Sequence, residues 1–152
     1  MLKVGDQVNQ TKVKLHDNSE ISFPETGKKY ILFFYPKDNT PGCTAEACSL
    51  RDGYGDIKKL GYELYGVSVD TIKSHLKFID NHQLPFPLIS DDEKKLVEAF
   101  GVWGMKKFMG REYMGTTRAT FIIDGSGTIT HLIEKVDTKN ASQQIIDLLA
   151  KN

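Results

Sequence analysis

Six consecutive apolar residues, YILFFY at positions 30–35, stand between a pair of lysines and Pro36. So short a run, rich in aromatic side chains and without a polar face, predicts a strand buried on both sides in the middle of a sheet. The chain around it must then supply covering layers. TAEACSLRDGYGDIKKLG predicts a helix over 43–60 with Gly61 as its C-cap. YELYGVSVD gives a second buried strand ending near Asp70, and TIKSHLKFIDNHQ a helix with Ile72, Leu76 and Ile79 on one face. FPLISD predicts a short strand. DDEKKLVEAFG predicts a helix with acidic residues in its first turn, closed by Gly101. Residues 101–117 hold four glycines and no clean period, and predict a long loop. ATFIID and TITHLIEKV flank the turn GSG as a hairpin, and NASQQIIDLLAKN reads as an amphipathic helix capped by Asn140. This order predicts an α/β domain whose mixed central sheet is flanked by helices on both faces. Fold class alone carries no function.

At 152 residues the chain predicts one domain, 1–152. Folding at that size removes roughly 68–70% of the unfolded surface from water, so no crosslink is needed to hold the core. Basic and acidic residues balance at 20 each, with no polybasic block, which argues against nucleic acid and anionic membrane as partners. The start, MLKVGDQVNQ, has no apolar run of signal-peptide length, and no stretch reaches 18 apolar residues. The expectation is a soluble, cytoplasmic protein. Structural disulfides are rare in reducing compartments, which directs attention to the two cysteines, Cys43 and Cys48.

Two thiols could form a crosslink, half a metal site or a redox couple. Zinc needs about four ligands, or three and a water. The four histidines, His16, His75, His82 and His131, are scattered without ligand spacing and read as surface or interface residues. A Cys–His hydrolase would also need an oxyanion hole and an orienting third group, and nothing points to either. For the redox reading, Cys43 follows Thr40-Pro41-Gly42 at a strand-to-helix turn and falls in the first helical turn, where unpaired N–H groups and the helix dipole favour a thiolate. Cys48 lies five residues on, about 140° around the helix and ~7.5 Å along it. A disulfide needs Cα atoms within ~4.4–6.8 Å, so an intact helix cannot carry one between these positions. The spacing predicts a pair that stays reduced when folded and unwinds a turn when oxidised. Gly53 and Gly55 either ease that opening or mark a site of close packing.

The stretch FYPKDNTPGCTAEAC, positions 34–48, resembles the active site of the peroxiredoxins. The likeness is greatest to the bacterioferritin-comigratory (Q-type) branch, with its Pro-x-x-x-Thr-x-x-Cys pattern and second cysteine five residues on. It continues through SLRD, GVWG, KFMGREYMG and RATFIID and covers most of the chain. The sequence departs from the usual start of such proteins at NQTKV, 9–13, outside the motif. The resemblance implies a thioredoxin-like fold and a monomer that reduces hydrogen peroxide and organic hydroperoxides. It implies recycling by thioredoxin or a similar dithiol, with no metal, flavin or haem. Residue by residue, Cys43 resembles the peroxidatic cysteine and Cys48 the resolving cysteine. Thr40 would offer its hydroxyl to the peroxide or thiolate, Pro36 would shield the site from water, and Arg118 would pair with thiolate and peroxide. Glu46 either orients Arg118 or sits solvated on the helix surface, and Trp103 packs core or covers the site. A competing reading is a non-catalytic redox sensor whose opened helix signals to a partner.

Overall fold

A computed structural model describes residues 1–151. The strands are β1 (Thr11–Leu15), β2 (Glu20–Phe23), β3 (Lys29–Phe34), β4 (Tyr62–Ser68), β5 (Leu88–Ser90), β6 (Trp103–Phe108), β7 (Arg111–Thr116), β8 (Ala119–Ile123) and β9 (Ile129–Ile133). Seven of them form one mixed sheet in the order β2-β1-β5-β4-β3-β8-β9. The apolar run at 30–35 lies near its centre, parallel to β4 and antiparallel to β8.

Strand periodicity divides that run between two cores. Tyr30, Leu32 and Phe34 enter a layer with Val67, Ile89, Phe100 and Phe121, while Ile31, Phe33 and Tyr35 enter the other with Leu50, Phe78 and Ile145. The second layer is roofed by α1 (Pro41–Asp52), α2 (Tyr54–Lys59), α3 (Ile72–His82) and α5 (Ala141–Ala150). The first receives Leu96 and Val97 from α4 (Lys95–Ala99). Helices therefore flank both faces, as the element order predicts. No helix among the described residues is long and apolar enough to cross a membrane.

Several local expectations are corrected. The helix expected over 43–60 begins at Pro41, whose missing N–H costs nothing at a first helical position, and breaks at Gly53. A Cβ on Gly53 would lie 2.4 Å from Ser142 Cβ, whereas one on Gly55 would meet nothing within 4 Å. Gly53 is thus a close-packing point against α5. On α3 the buried residues are His75 and Phe78, and Leu76 is 48% exposed. Only five residues make α4; its first N–H groups, those of Leu96 and Val97, donate to the upstream Asp91 carboxylate. Asn140 precedes α5 but makes no side-chain cap bond, because a 3-10 turn, Thr138–Asn140, leads into the helix.

The largest correction concerns 101–117. That segment is a two-stranded hairpin of β6 and β7, turning through Met109 (φ 51) and Gly110 (φ 79), a primed turn in which both central residues have positive φ. Its distal part carries apolar side chains into solvent, with Met105, Phe108, Met109 and Met114 all exposed. An apolar–polar alternation could not reveal strands whose faces are not sorted by burial.

Candidate active site

Thr40, Pro41, Gly42 and Cys43 carry the chain from the end of β3 into α1. Pro41 fixes the first helical φ, and Thr40 takes the N-cap position with extended backbone (φ −91, ψ 153). Its hydroxyl does not cap the helix. It donates to the Lys37 carbonyl at 2.8 Å, which leaves the first-turn N–H groups without a side-chain acceptor. Cys43 lies there, 2% exposed, with the positive end of α1 around its sulfur. Cys48 is half-buried on the same continuous helix, and both thiols are free.

Arg118, just before β8, reaches this turn. One guanidinium nitrogen, Nη2, donates to Cys43 Sγ at 3.2 Å, and Nη1 donates to Glu46 Oε1 at 2.6 Å. Burial opposes the guanidinium charge, but Glu46 and the Cys43 sulfur outweigh it and hold the group protonated. Glu46 is not a solvated surface residue. It is fully buried, three residues after Cys43 and so on the same helix face. Burial pushes its carboxyl up to about 7, against the pull of Arg118, and Oε2 has no hydrogen-bond partner.

Beside the 36–40 loop a cleft of about 350 Å³ opens towards the β6–β7 hairpin, walled by Pro36, Thr40, Val69, Trp103, Tyr113 and Thr116 among others. Trp103 packs on the core and also forms part of the cleft wall. Lys106 also faces the cleft, with Nζ donating to the Thr116 carbonyl at 2.9 Å. Burial, helped by Arg118, lowers the pKa of that ammonium.

Under the loop is a polar cluster. Asp38 accepts from Tyr35 Oη (2.6 Å) on one oxygen, and from Ser74 Oγ (2.8 Å) and His75 Nδ1 (2.7 Å) on the other. His75 Nε2 meets the Ile89 carbonyl at 2.9 Å, and Asp38 N–H donates to Asp70 Oδ2 at 2.9 Å. His75 is fully buried, contrary to its reading as a surface residue. Asp38, Asp70 and His75 each offer a ligand atom within 4.8 Å of the others. The Asp38 and Asp70 oxygens already accept protein donors, however, and both ring nitrogens of His75 face acceptors, so the chemistry of the cluster does not call for a cation.

A thiol held by an arginine at a helix N-terminus, with a second thiol on the same helix, is the centre of this site. The profile described as the AhpC/TSA family matches residues 4–132. The chain is a peroxiredoxin of the bacterioferritin-comigratory, Q-type branch. It is 41% identical to peroxiredoxin Bcp of Bacillus subtilis over 149 residues, 97% of this chain and 95% of that one. Its structure superposes on a Xylella fastidiosa PrxQ mutant with a TM-score of 0.92 at 27% identity, covering 99% and 97% of the two chains. A Xanthomonas campestris bacterioferritin comigratory protein, described in terms of its alkyl peroxide reduction activity, matches with a TM-score of 0.85 at 29% identity over 93% and 90%. The fold is thioredoxin-like, and the protein is a thiol-dependent peroxidase.

In this peroxiredoxin the structure brings Cys43, Arg118 and Glu46 together and sets Thr40 and Pro36 on the adjoining cleft wall. Cys48 stands apart, in the second turn of α1. Sequence reasoning missed Asp38, His75 and Lys106. The Cys43–Glu46 spacing was available as a signal for Glu46. Asp38 and His75 are 37 residues apart and share no local pattern.

Proposed function

We propose that Cys43 is the peroxidatic cysteine, Cys48 resolves it, and a dithiol such as thioredoxin returns the pair to the reduced state. The observation that carries the reading is the 3.2 Å contact of Arg118 with a thiol at a helix N-terminus. The Cys43 thiolate attacks one peroxide oxygen and the O–O bond breaks. The sulfur becomes a sulfenic acid, and the departing oxygen takes a proton to leave as water or an alcohol. The Cys48 thiol then displaces the sulfenic hydroxyl, releasing water and closing an intramolecular disulfide.

Magnitudes indicate where the rate comes from. An ordinary thiol with pKa ~8.5 is a few per cent ionised at neutral pH, so complete ionisation gains about 30-fold. A pKa lowered by ~2.5 would forfeit roughly 10- to 20-fold in nucleophilicity. The two nearly cancel. Positioned donors to the developing oxyanion must supply the larger share. Arg118 and the Cys43 backbone N–H fill that role. Thr40, with its hydrogen engaged by Lys37, presents lone pairs and would accept the peroxide O–H. Pro36 limits water at the mouth. The apolar walls of the cleft, and the alkyl peroxide reduction named for the Xanthomonas relative, support organic hydroperoxides beside hydrogen peroxide as substrates.

The test is peroxide consumption with thioredoxin, thioredoxin reductase and NADPH at catalytic protein concentration. Sustained NADPH oxidation is expected. Consumption of one equivalent and no more would instead mark a sensor, or a different reductant if another dithiol restores turnover.

A further inference from the structure

We propose that Asp38 and His75 are positioning residues for peroxide attack: their buried bond clamps the 36–40 loop onto α3 and so sets where Pro36 and Thr40 stand relative to the Cys43 sulfur. The proposal rests on the reading of Cys43 as the peroxidatic thiol. Of the five loop residues only Asp38 is buried, at 5% exposure. It is the loop's buried tie, beside an exposed one in which Asn81 Nδ2 of α3 donates to Asn39 Oδ1 at 3.4 Å. Three donors from two places, Tyr35 just after β3 and the neighbouring Ser74 and His75 on α3, converge on it. The Ile89 carbonyl can only accept, so His75 Nε2 carries a hydrogen. A carboxylate oxygen 2.7 Å from Nδ1 requires a second hydrogen in that contact. Burial pushes the Tyr35 phenol well above its usual range, so it remains a donor.

An apolar residue at position 38 would anchor the loop without desolvating a carboxylate and an imidazole, and buried ion pairs are poor stabilisers beside well-packed apolar groups. What hydrogen bonds add is direction. The Asp38 backbone is fixed as well, through its N–H to Asp70 Oδ2, which Ser68 Oγ holds at 2.6 Å. Next in the chain, Asn39 is held at φ 60, and Thr40 follows, its hydroxyl bonded back to Lys37 and its carbonyl accepting the Thr44 N–H inside α1. A displaced Asp38 therefore displaces Thr40 through two residues. None of the cluster lies on α1, so it stays assembled when that helix opens. The clamp should govern the peroxide step and leave disulfide closure alone.

The experiment is rapid mixing of reduced protein with peroxide, per titratable thiol, following sulfenate formation and disulfide closure separately in wild type, Asp38→Asn, His75→Gln, the double variant and the milder Tyr35→Phe. Misplacement of a reacting group by about an ångström costs up to ~10²-fold, so the expected loss in the peroxide step is roughly 10- to 100-fold for Asp38→Asn and His75→Gln, and a few-fold for Tyr35→Phe. The double variant should be no slower than the slower single, because both break one device. Disulfide closure should keep its wild-type rate. A downfield proton resonance from the Asp38–His75 contact should be present in wild type and absent in His75→Gln. Folded variants that react at wild-type speed would overturn the clamp alone, as would equal slowing of both steps. If the larger substitutions prevent folding, an unchanged peroxide rate in Tyr35→Phe overturns it and a selective few-fold loss supports it. A wild-type Cys43 inert to peroxide would overturn the peroxidase reading, and the clamp with it.

Discussion

Arg118 divides its guanidinium between two residues of one helix, with Nη2 3.2 Å from Cys43 Sγ and Nη1 2.6 Å from Glu46 Oε1. Cys43 and Glu46 are three residues apart on α1, so the arginine reads the helix as a rigid ruler. Opening that helix separates both partners from Arg118 at once. On the proposed cycle, the contact that readies the thiol for peroxide is thus built on the element expected to unwind afterwards.

Arg118→Ala removes a charge-assisted donor from the position where the oxyanion develops. The expected loss in the second-order rate with peroxide is ~10²–10³-fold. Thermal stability should fall much less, because the side chain is 22% exposed and its removal frees Glu46 to protonate. Stopped-flow mixing and a melting curve on the same variant check both parts, and a near-native rate would return Arg118 to the role of a surface charge.

Glu46 should leave a signature in stability against pH. Its carboxyl, ordinarily at 4.5, is raised to about 7 by burial, partly offset by Arg118. The folded state therefore binds more protons than the unfolded state between those values, and stability from this group falls as pH rises from 4.5 to 7. The window corresponds to roughly 3 kcal/mol. Glu46→Gln keeps an acceptor for Arg118 and cannot titrate. Relative to wild type, the variant should gain stability steadily across that window and plateau above it. A difference independent of pH would show that Glu46 ionises normally.

Gly53→Ala sets propensity against packing. An alanine would gain up to ~1 kcal/mol of helix propensity, but its Cβ would stand 2.4 Å from Ser142 Cβ, and overpacking typically costs ~1–3 kcal/mol. Packing should win, giving net destabilisation in chemical denaturation. Ser142→Gly in the same chain should recover part of it, while Gly55→Ala, facing open space, should be neutral or stabilising.

The layered α/β architecture was legible because each buried strand, such as 30–35, is a short apolar run with its own punctuation. So was the thiol pair, since its spacing is a local property and the motif around it is contiguous. Of the long-range partners, Arg118 was legible through the family resemblance alone, and those outside the motif were not. Asp38 looks like a loop aspartate and His75 like one polar residue of an amphipathic helix until folding places them 2.7 Å apart. The β6–β7 hairpin escaped for the opposite reason, because Met105, Phe108 and Met109 point into water where a pattern argument expects polar residues. Glu46 was half-visible: its helix face follows from the spacing to Cys43, but its burial depends on a roof supplied by other elements.

Cys48→Ser separates the two chemical steps. The variant should consume one equivalent of peroxide at near wild-type speed and stall as the Cys43 sulfenic acid, which serine cannot resolve. Mass spectrometry should find the added oxygen, and on excess peroxide the sulfinic acid. A variant that still turns over with thioredoxin would remove Cys48 from the cycle.

The central claim is that α1 must open for the two sulfurs to meet. In the reduced protein Ala47 and Leu50 are fully buried, and Arg51 Nη1 donates to the His82 carbonyl at 2.9 Å. Extracting Leu50 alone costs about 1.5–3 kcal/mol, so the reduced helix should stay closed. Amide exchange across 43–52, compared between reduced protein and protein whose Cys43–Cys48 disulfide is verified by mass, measures this directly. The account predicts slow exchange in the reduced state and much faster exchange in the oxidised state, confined to α1 and the contacts it releases. Equal protection in the two states would contradict it, because a continuous helix keeps those Cα atoms beyond the reach of a disulfide.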